Sequence, residues 1–466
     1  MQPRKILVIG AGTVGVCTAL YLQRDGHAVT LIDRNEPGTG CSYGNAGVVQ
    51  VTACVPIATP GVLRAVPRML LSRDQPLIIR WQYLPRLAPY LLRFINAARP
   101  SEVERISQAL ARILMLAKDA YAPLIAAAGA HDLIKPTGEL HVYETEAAYR
   151  AARFGHDLRR ARGLRIEDLD PSEIRRIEPS LAPIFRHAIY LPDPVQTVSP
   201  YFFTRKLAEE FVRAGGHFLQ ENVEDILFGR DGPTHVVTGT ARHAAPELVL
   251  ATGAHSKGWA AKLGSHVPLD TERGYHLTLP DPGVELRVPV ISGDYRFGLA
   301  SMTEGLRLAG TAELARLDAK PNYTRAQRLV RLARRMLPKL NPEGAKPWMG
   351  QRPSTPDSMP VIGRSPHLPR VYFAFGHGHL GLTLAAATGR IIADLVASRP
   401  PPIDISDFRI SRFRKFGLRQ QDRVQFTGGG SFVERGRGCR EWHRGRVGFQ
   451  RARCPRPGSA TGQASR

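Results

Sequence analysis

The most constraining feature of this chain is a glycine-rich turn between two short apolar segments near its start. Lys5–Ile9 is an apolar run typical of a buried parallel strand, and the hexapeptide Gly10–Gly15 (GAGTVG) follows it directly. Val14–Arg24 has helical spacing, and Ala28–Ile32 predicts a second strand that ends at Asp33. A strand, a GxGxxG turn, a helix and a second strand within about 30 residues are typical of a dinucleotide-binding unit.

Each glycine of this turn has a steric reason. Gly10 permits the tight turn, Gly12 lets the backbone approach a pyrophosphate, and Gly15 lets the helix and the strand pack closely. The helix N-terminus offers free N–H groups to phosphates, and the Asp33 carboxylate can accept hydrogen bonds from a ribose. The unit therefore predicts nucleotide binding, the alternative being a turn that serves packing alone. By itself it does not distinguish NAD from FAD.

Three later segments favour FAD. Thr39–Gly47 (TGCSYGNAG) combines small residues and hydroxyls that can line a pyrophosphate and a flat ring. Leu248–Ala254 (LVLATGA) is an apolar strand that ends in Ala-Thr-Gly, an element that recurs in flavoproteins with this nucleotide fold. Gly376–Thr383 (GHGHLGLT) leads into a helix over Leu384–Ala397, whose N–H groups can face the electron-rich edge of a reduced flavin.

Together with Gly350–Asp357 (GQRPSTPD), these segments resemble the FAD-dependent glycine/D-amino-acid oxidase superfamily, most closely the bacterial D-amino-acid dehydrogenases of small-subunit type. The resemblance covers about residues 4–413. It implies an α/β fold, in which a Rossmann-like FAD-binding domain carries an inserted α+β substrate domain built on an antiparallel sheet. We expect the FAD-binding domain to comprise residues 1–61, 195–262 and 347–413, and the substrate domain residues 62–194 and 263–346.

The resemblance also implies a set of site residues. The implied contacts to FAD are Gly10, Gly12, Gly15, Asp33, Ser42, Asn45, Ala46, Gly47, Val223, Ala251, Thr252, Gly253, Gly378, Leu380, Gly381, Leu382 and Thr383. We expect FAD to be non-covalent, because the late flavin-side segment has no cysteine. Arg352 is implied to hold the substrate carboxylate, and Tyr275 and His276 to form the ceiling of the substrate site. Arg-Gly-Tyr-His here departs from the Lys-Gly-Tyr-Ser of many of these dehydrogenases, which leaves the identity of the substrate open.

The implied reaction is the oxidation of a D-amino acid to a 2-oxo acid and ammonia, by hydride transfer from Cα to flavin N5, with electrons passed to a quinone or another carrier. An arginine such as Arg352 suits a two-point grip on a carboxylate, although it could also form a surface ion pair. Tyr275 could simply pack in a strand, and His377 and His379 are better explained as structural residues of a glycine turn. The alternatives are oxidation of a secondary amine (D-hydroxyproline, sarcosine or an opine) and a non-catalytic, nucleic-acid-binding flavoprotein.

Charge is unevenly distributed along the chain. The 466 residues carry a net charge of +23, of which +10 lies in residues 414–466, a glycine-rich segment with one leucine and no isoleucine. We expect this tail to be disordered, because it cannot bury enough apolar surface to offset the entropy of ordering. No nucleic-acid-binding module is recognisable, so we expect no nucleic-acid partner.

The remaining sequence features concern location and metals. Five cysteines without ligand spacing predict no metal site and suit a reducing compartment. No signal peptide and no long apolar run are evident, so we expect a cytoplasmic enzyme without a transmembrane helix. The basic stretch Arg64–Arg99 predicts a solvated helix face or, alternatively, a peripheral contact with the cytoplasmic face of the inner membrane. The oligomeric state stays open.

Overall fold

The computed structural model describes residues 2–61, 77–79, 81–230 and 232–413. The predicted disordered tail (414–466) and much of the basic stretch Arg64–Arg99 therefore lie outside the described residues. The helices are α1 (Thr13–Arg24), α2 (Leu84–Ala97), α3 (Pro100–Met115), α4 (Ala117–Ala128), α5 (Glu146–Ala161), α6 (Pro171–Ile177), α7 (Pro200–Arg213), α8 (Ser256–Lys262), α9 (Thr324–Met336) and α10 (Gly381–Val396).

Within the described ranges, four sheets contain the strands. These are β1 (Lys5–Ile9), β2 (Ala28–Asp33), β3 (Val48–Val49), β4 (Leu77–Ile79), β5 (Ile134–Lys135), β6 (Glu139–Tyr143), β7 (Glu167–Leu169), β8 (His187–Leu191), β9 (Val195–Thr197), β10 (His217–Gln220), β11 (Val223–Gly229), β12 (Gly232–Thr238), β13 (Arg242–Ala244), β14 (Glu247–Leu250), β15 (Asp270–Leu279), β16 (Val290–Ser292), β17 (Phe297–Met302), β18 (Gly305–Ala309), β19 (Ala312–Leu314), β20 (Lys346–Ser354), β21 (Val361–Arg364) and β22 (Val371–Phe375).

The first sheet contains the predicted nucleotide-binding unit. Its strand order is β10-β2-β1-β14-β22-β21, and every pairing is parallel except that of β21 with β22. Helices α1 and α10 cover one face, where Gly389 of α10 lies so close to α1 that a Cβ would be 2.7 Å from the Cys17 carbonyl oxygen. Most of the apolar side chains of α10 are buried there.

The second large sheet has ten strands and two chemically different faces. Its order is β4-β19-β15-β18-β17-β16-β6-β8-β7, with β20 on the other side of β15. Because side chains alternate along a strand, one face presents Leu277, Leu299 and Leu308, which pack in a core that includes Leu329 of α9. The opposite face, with residues such as His276 and Arg307, faces the first sheet's cavity.

The fold class expected from the sequence is confirmed: a Rossmann-like α/β unit is combined with a largely antiparallel sheet. The domain boundaries stay a prediction. One strand departs from the expected division, because β20, which we placed in the FAD-binding part, pairs with β15 of the large sheet along its whole length. The physical reason is the antiparallel backbone hydrogen bonding between these two strands, which are far apart in the sequence.

One described segment, Gly378–Val396, is long and apolar enough to cross a membrane. Two thirds of it (67%) is buried inside the protein, against α1 and neighbouring helices. A helix enclosed in a core meets the same length and hydropathy criteria, so the burial accounts for its composition without a bilayer.

Candidate active site

A cavity of about 770 Å³ lies between the glycine turn and the large sheet. Most of the site residues implied by the sequence contribute to its wall: Gly10, Gly12, Asp33, Ser42, Asn45, Ala46, Val223, Ala251, Thr252, Gly253, Tyr275, His276, Arg352, Gly378, Leu380, Gly381 and Leu382. Gly15, Gly47 and Thr383 do not line the cavity. Gly15 packs on the turn, Gly47 lies against the Thr197 carbonyl, and Thr383 Oγ1 accepts a hydrogen bond from the Gln50 N–H.

The glycine turn has the close packing expected of a phosphate-binding loop. Gly10 has φ +107°, and a Cβ on it would be 2.4 Å from the Ala251 carbonyl oxygen. A Cβ on Gly15 would be 1.8 Å from the Gly10 carbonyl oxygen. Gly12 is the N-cap of α1 and places no side chain of its own at the first turn of the helix.

Two side chains fix the shape of this turn. Asp33 Oδ2 accepts a hydrogen bond from the Ala11 N–H at 2.8 Å, and its Oδ1 accepts one from the Asn35 N–H at 3.0 Å. Ser42 Oγ accepts the Thr13 N–H at 3.1 Å. Asp33 and Ser42 therefore position the turn as well as line the cavity.

The cavity fits a dinucleotide on the geometry of its own residues. The positions at Gly10 and Gly15 exclude any side chain, and Gly12 adds none at the helix N-terminus, which is the arrangement that holds a pyrophosphate. Farther along the cavity, Gly378–Leu382 leads into α10, which has no side-chain cap. Its N–H groups suit the electron-rich edge of a flavin.

Tyr275 points away from the cavity. Its backbone contributes to the wall, but its ring is 1% exposed in the core on the far face of the sheet. Its hydroxyl donates a hydrogen bond to Glu313 Oε2 at 2.5 Å and accepts one from the Asn322 N–H at 3.1 Å. The expected place of this phenol in the substrate ceiling is therefore corrected: strand alternation puts it on the opposite face from its neighbour His276.

His276 does face the cavity. Its ring stacks on Trp348 at 4.9 Å between centroids, and Nδ1 lies 3.3 Å from the Gly44 carbonyl oxygen, to which it donates in the matching tautomer. Burial, with the positive charge of Arg307 and Arg352 nearby, lowers the pKa of His276 to about 3. The imidazole is therefore neutral at physiological pH, and its Nε2 can accept a hydrogen bond.

Arg352 belongs to a charged cluster at one end of the cavity. Its Nη1 donates to Glu272 Oε1 at 3.1 Å and to the Thr311 carbonyl at 3.3 Å. His379 Nε2 lies 2.8 Å from the same Glu272 oxygen. The guanidinium lies over Gly274, where a Cβ would be 2.2 Å from Nη2, so only glycine leaves room for it.

The pKa of Glu272 reflects this cluster. Burial by itself would raise it, but His379, Arg352 and the Ser354 hydroxyl together lower it to about 2. Glu272 is thus a permanent carboxylate that orients Arg352. Glu272 was not among the implied site residues, although it directly precedes the Arg-Gly-Tyr-His segment expected at the substrate site.

Arg307 is a second buried arginine of the cavity, 2% exposed. Its Nη1 donates to the carbonyls of Tyr43 and Asn45 at 3.1 and 2.7 Å. With His276 on the Gly44 carbonyl, the sheet face holds three consecutive carbonyls of this loop. Arg307 was not among the implied site residues, because nothing in its own segment distinguishes a strand arginine that faces the cavity from one that faces away from it.

His377 has a structural place in the glycine segment before α10. It is 3% exposed, and its Nε2 lies 2.9 Å from the Thr388 hydroxyl. Burial lowers the pKa of His377 to about 3. The ring therefore ties the glycine turn to α10 as a neutral hydrogen-bonding group. Among the described residues, clusters of three or more His, Cys, Asp or Glu with metal-binding geometry are absent.

Comparisons with known proteins agree with this geometry. A family model described as FAD-dependent oxidoreductase (DAO) matches residues 5–395. A D-amino-acid oxidase of Bradyrhizobium diazoefficiens is 34% identical over 419 residues, which cover 88% of this chain and 99% of that protein. A D-amino acid dehydrogenase of Paramagnetospirillum magneticum is 33% identical over 422 residues, with 88% and 99% covered.

Among solved structures, L-proline dehydrogenase from P. horikoshii superposes with a TM-score of 0.67 at 20% identity, covering 88% of this chain and 98% of that one. At this identity the likeness concerns the fold. The resemblance expected from the sequence is confirmed by these matches.

Proposed function

Since this chain belongs to the family of FAD-dependent oxidoreductases whose model spans residues 5–395, and is thus an FAD-dependent enzyme, we propose that it oxidises D-amino acids to 2-oxo acids and ammonia. When bound, FAD supplies the two-electron acceptor for the hydride leaving Cα. The resulting imino acid is hydrolysed by water. The names of the relatives and the presence of an arginine in the cavity support this reaction. The main structural observation is that the guanidinium of Arg352 lies over Gly274.

In this proposal Arg352 binds the substrate carboxylate. Nη1 is occupied by Glu272 and Thr311, so the guanidinium is held in one orientation while Nη2, lying over Gly274, is left for the substrate. A guanidinium fixed in advance loses little freedom when the carboxylate binds. Fixing the carboxylate also sets which hydrogen on Cα faces the flavin, and this selects one enantiomer.

The neutral His276 binds the amine of the substrate. Because Nδ1 donates to the Gly44 carbonyl, Nε2 is the acceptor, and it can take an N–H from an uncharged amine. A pKa of about 3 makes the imidazole a poor proton acceptor, so it orients the amine as a hydrogen-bond partner rather than removing a proton. Arg352 and His276 thus fix the two ends of the amino acid head group.

Secondary amines such as D-hydroxyproline, sarcosine or an opine are the second candidate substrates. His276 needs a single N–H on the amine, which a secondary amine also has. The shared fold with an L-proline dehydrogenase is compatible with this candidate. We further propose that electrons leave to a quinone or another carrier, and that the enzyme works in the cytoplasm, with a peripheral contact to the inner membrane as the alternative.

The direct test is anaerobic bleaching of the flavin absorbance of the purified protein. We expect D-alanine, D-methionine and D-lysine to bleach it, with release of ammonia and a 2-oxo acid, and their L-enantiomers to leave it unchanged. Bleaching by sarcosine or D-hydroxyproline alone would favour the second candidate. If none of these compounds reduces the flavin, the proposal is wrong.

A variant tests the role of Arg352. We expect Arg352→Ala to keep bound flavin, because the side chain lies at the substrate end of the cavity, and to raise the substrate concentration for half-maximal bleaching by about 100-fold. Arg150→Ala, which removes an exposed arginine of α5, is the matched control and should behave like the wild type. An unchanged half-maximal concentration in Arg352→Ala would exclude the carboxylate grip.

A further inference from the structure

A row of residues, one from each of five neighbouring strands, crosses the cavity face of the large sheet. Ile291 on β16 pairs in register with Gly298 on β17, which pairs with Ala309 on β18. Ala309 pairs with His276 on β15, which pairs with Trp348 on β20. All five line the cavity, as expected for residues paired in register, whose side chains share a face. The row therefore shows what a substrate bound at His276 meets on either side.

The head group of the proposed substrate reaches this row from Arg352. The guanidinium lies over Gly274, and His276 follows Gly274 by two residues on β15, about 6.8 Å along the strand. An α-carboxylate on Arg352 Nη2 and an amine on His276 Nε2 can span this distance, since each is joined by a hydrogen bond of about 2.9 Å. The Cα of the substrate then lies beside His276, and the substrate side chain extends along the row.

Trp348 closes the row on one side of His276. Its indole stacks on the His276 ring at 4.9 Å between centroids and also lies over two glycines. A Cβ on Gly350 would be 2.1 Å from the indole, and a Cβ on Gly44 would be 1.8 Å from it. The indole thus fills the space above both backbones, and this leaves the side of Ala309 for the side chain of the substrate.

Ile291 limits the row on the other side. Ala309 has only a methyl group and Gly298 has no side chain, so the floor of the cavity is low at both strands. Ile291 is half-buried and leans back over this floor, because a Cβ on Gly298 would be only 2.8 Å from Ile291 Cδ1. The open part of the floor is therefore the position of Ala309, about 4.8 Å wide, which is the width of one strand.

We propose that Ile291 is a specificity-determining residue that sets the length of the substrate side chain. A side chain of up to about three carbon atoms fits over Ala309, between the His276 ring and Ile291 Cδ1, whereas an aromatic side chain meets Cδ1. The pocket wall is apolar here, because Ala309, Gly298 and Ile291 form it. This assignment rests on the proposed oxidation of D-amino acids, and it names short, uncharged, apolar side chains as the preferred class.

The first experiment lengthens the substrate stepwise. The wild-type enzyme is assayed with D-alanine, D-2-aminobutyrate, D-norvaline and D-phenylalanine, by steady-state reduction of an artificial dye. We expect kcat/KM to rise from D-alanine to D-norvaline, and to be at least about tenfold lower for D-phenylalanine than for D-norvaline. If D-norvaline and D-phenylalanine turn over equally well, the inference is wrong while the proposed function stands. If no D-amino acid reduces the flavin, both fall together.

The second experiment shortens the side chain at the end of the row. Ile291→Ala uncovers the Gly298 backbone, and it should raise the ratio of kcat/KM for D-phenylalanine to that for D-alanine by about tenfold or more. Ile291→Val removes only Cδ1, the atom that lies over Gly298, and it should raise the same ratio by about fourfold. The two variants thus give a graded response if Ile291 sets the length of the pocket.

Val290→Ala is the matched control. Val290 precedes Ile291 on β16, but it is fully buried in the core on the other face of the sheet and does not line the cavity. Its truncation should lower Tm and keep the wild-type ratio. If Ile291 had only a structural role, its variants would also weaken both substrates alike and leave the ratio unchanged, and that outcome would overturn the proposal. If Ile291→Ala fails to fold, Ile291→Val and the wild-type series still decide it.

Discussion

At the scale of single residues, the site depends on buried charges that are compensated to different degrees. Glu272 is held by Arg352, His379 and Ser354, and is consequently ionised far below its usual range. Arg307 is held differently, because its guanidinium donates to the Tyr43 and Asn45 carbonyls. Charges that the protein itself compensates support the architecture of the site.

Glu272 gives a prediction about acid stability. Its pKa in the folded protein, about 2, lies below its ordinary value of 4.5, so its contribution is fully present above about pH 4.5 and is lost as the pH falls towards 2. We expect Glu272→Gln to lower the free energy of unfolding on the order of 1–3 kcal/mol at about pH 6, and by much less at about pH 3. Urea unfolding followed by tryptophan fluorescence measures both values.

Glu167→Gln is the control for this measurement, because Glu167 is exposed on β7 and lies outside the cluster. It should shift the free energy of unfolding little at either pH. A deficit in Glu272→Gln that is equally large at both pH values would mean that the carboxylate acts through shape rather than charge.

The limits of sequence reasoning at this scale follow from strand alternation. The segment Arg273–His276 was expected at the site, but the sequence alone did not say which of Tyr275 and His276 faces the substrate. Register with β18 and β20 decides it, and register depends on hydrogen bonds to strands far away in the chain. For the same reason the contacts of Arg307 with the Tyr43 and Asn45 carbonyls, far away in the chain, could not be predicted from sequence.

At the scale of elements, the strand–turn–helix–strand unit could be predicted well, because its signals are local. Glycines, a short apolar run and a helical pattern specify β1, α1 and β2 without reference to distant residues. The large sheet could be predicted only as a set of alternating strands. Its order brings β6 beside β16, and neither composition nor spacing encodes that neighbour.

Two glycines of the turn should behave differently when substituted. At Gly12 a Cβ would lie 3.4 Å from Ser42 Oγ, an ordinary contact, and φ is −69°. Gly12→Val should therefore fold but fill the space for the pyrophosphate, and yield protein without FAD. At Gly15 even Ala would clash with the Gly10 carbonyl oxygen, so Gly15→Ala should lower Tm as well.

The readouts are flavin absorbance per mole of protein and the thermal midpoint of the apoproteins. Gly258→Ala in α8 is the control, because a Cβ there meets no atom within 4 Å, and it should keep both flavin and Tm. A fully flavinated Gly12→Val would contradict the placement of the pyrophosphate at this turn.

At the scale of the whole molecule, the net positive charge is shared between the described fold, which ends at Phe413, and the segment that follows it. Residues 414–466 carry +10 of the net +23. Immediately before them, Ile410 and Phe413 are buried, and Arg412 forms a 2.8 Å ion pair with Asp357. The family match itself ends at residue 395. The fold therefore has its own contacts up to Phe413, beyond the end of the family match.

Deleting residues 414–466 should separate catalysis from polyanion binding. We expect the truncated enzyme to keep its flavin and a kcat/KM within about twofold of the full chain, because every described contact of the site is retained. The lower net charge should weaken salt-sensitive retention on heparin. A second deletion from Phe408 onward removes the buried Phe408, Ile410 and Phe413 and should lower Tm. Loss of flavin or activity in the first deletion would show that the basic segment contributes to cofactor binding or catalysis. A segment that only adds positive charge for polyanion binding would leave both unchanged.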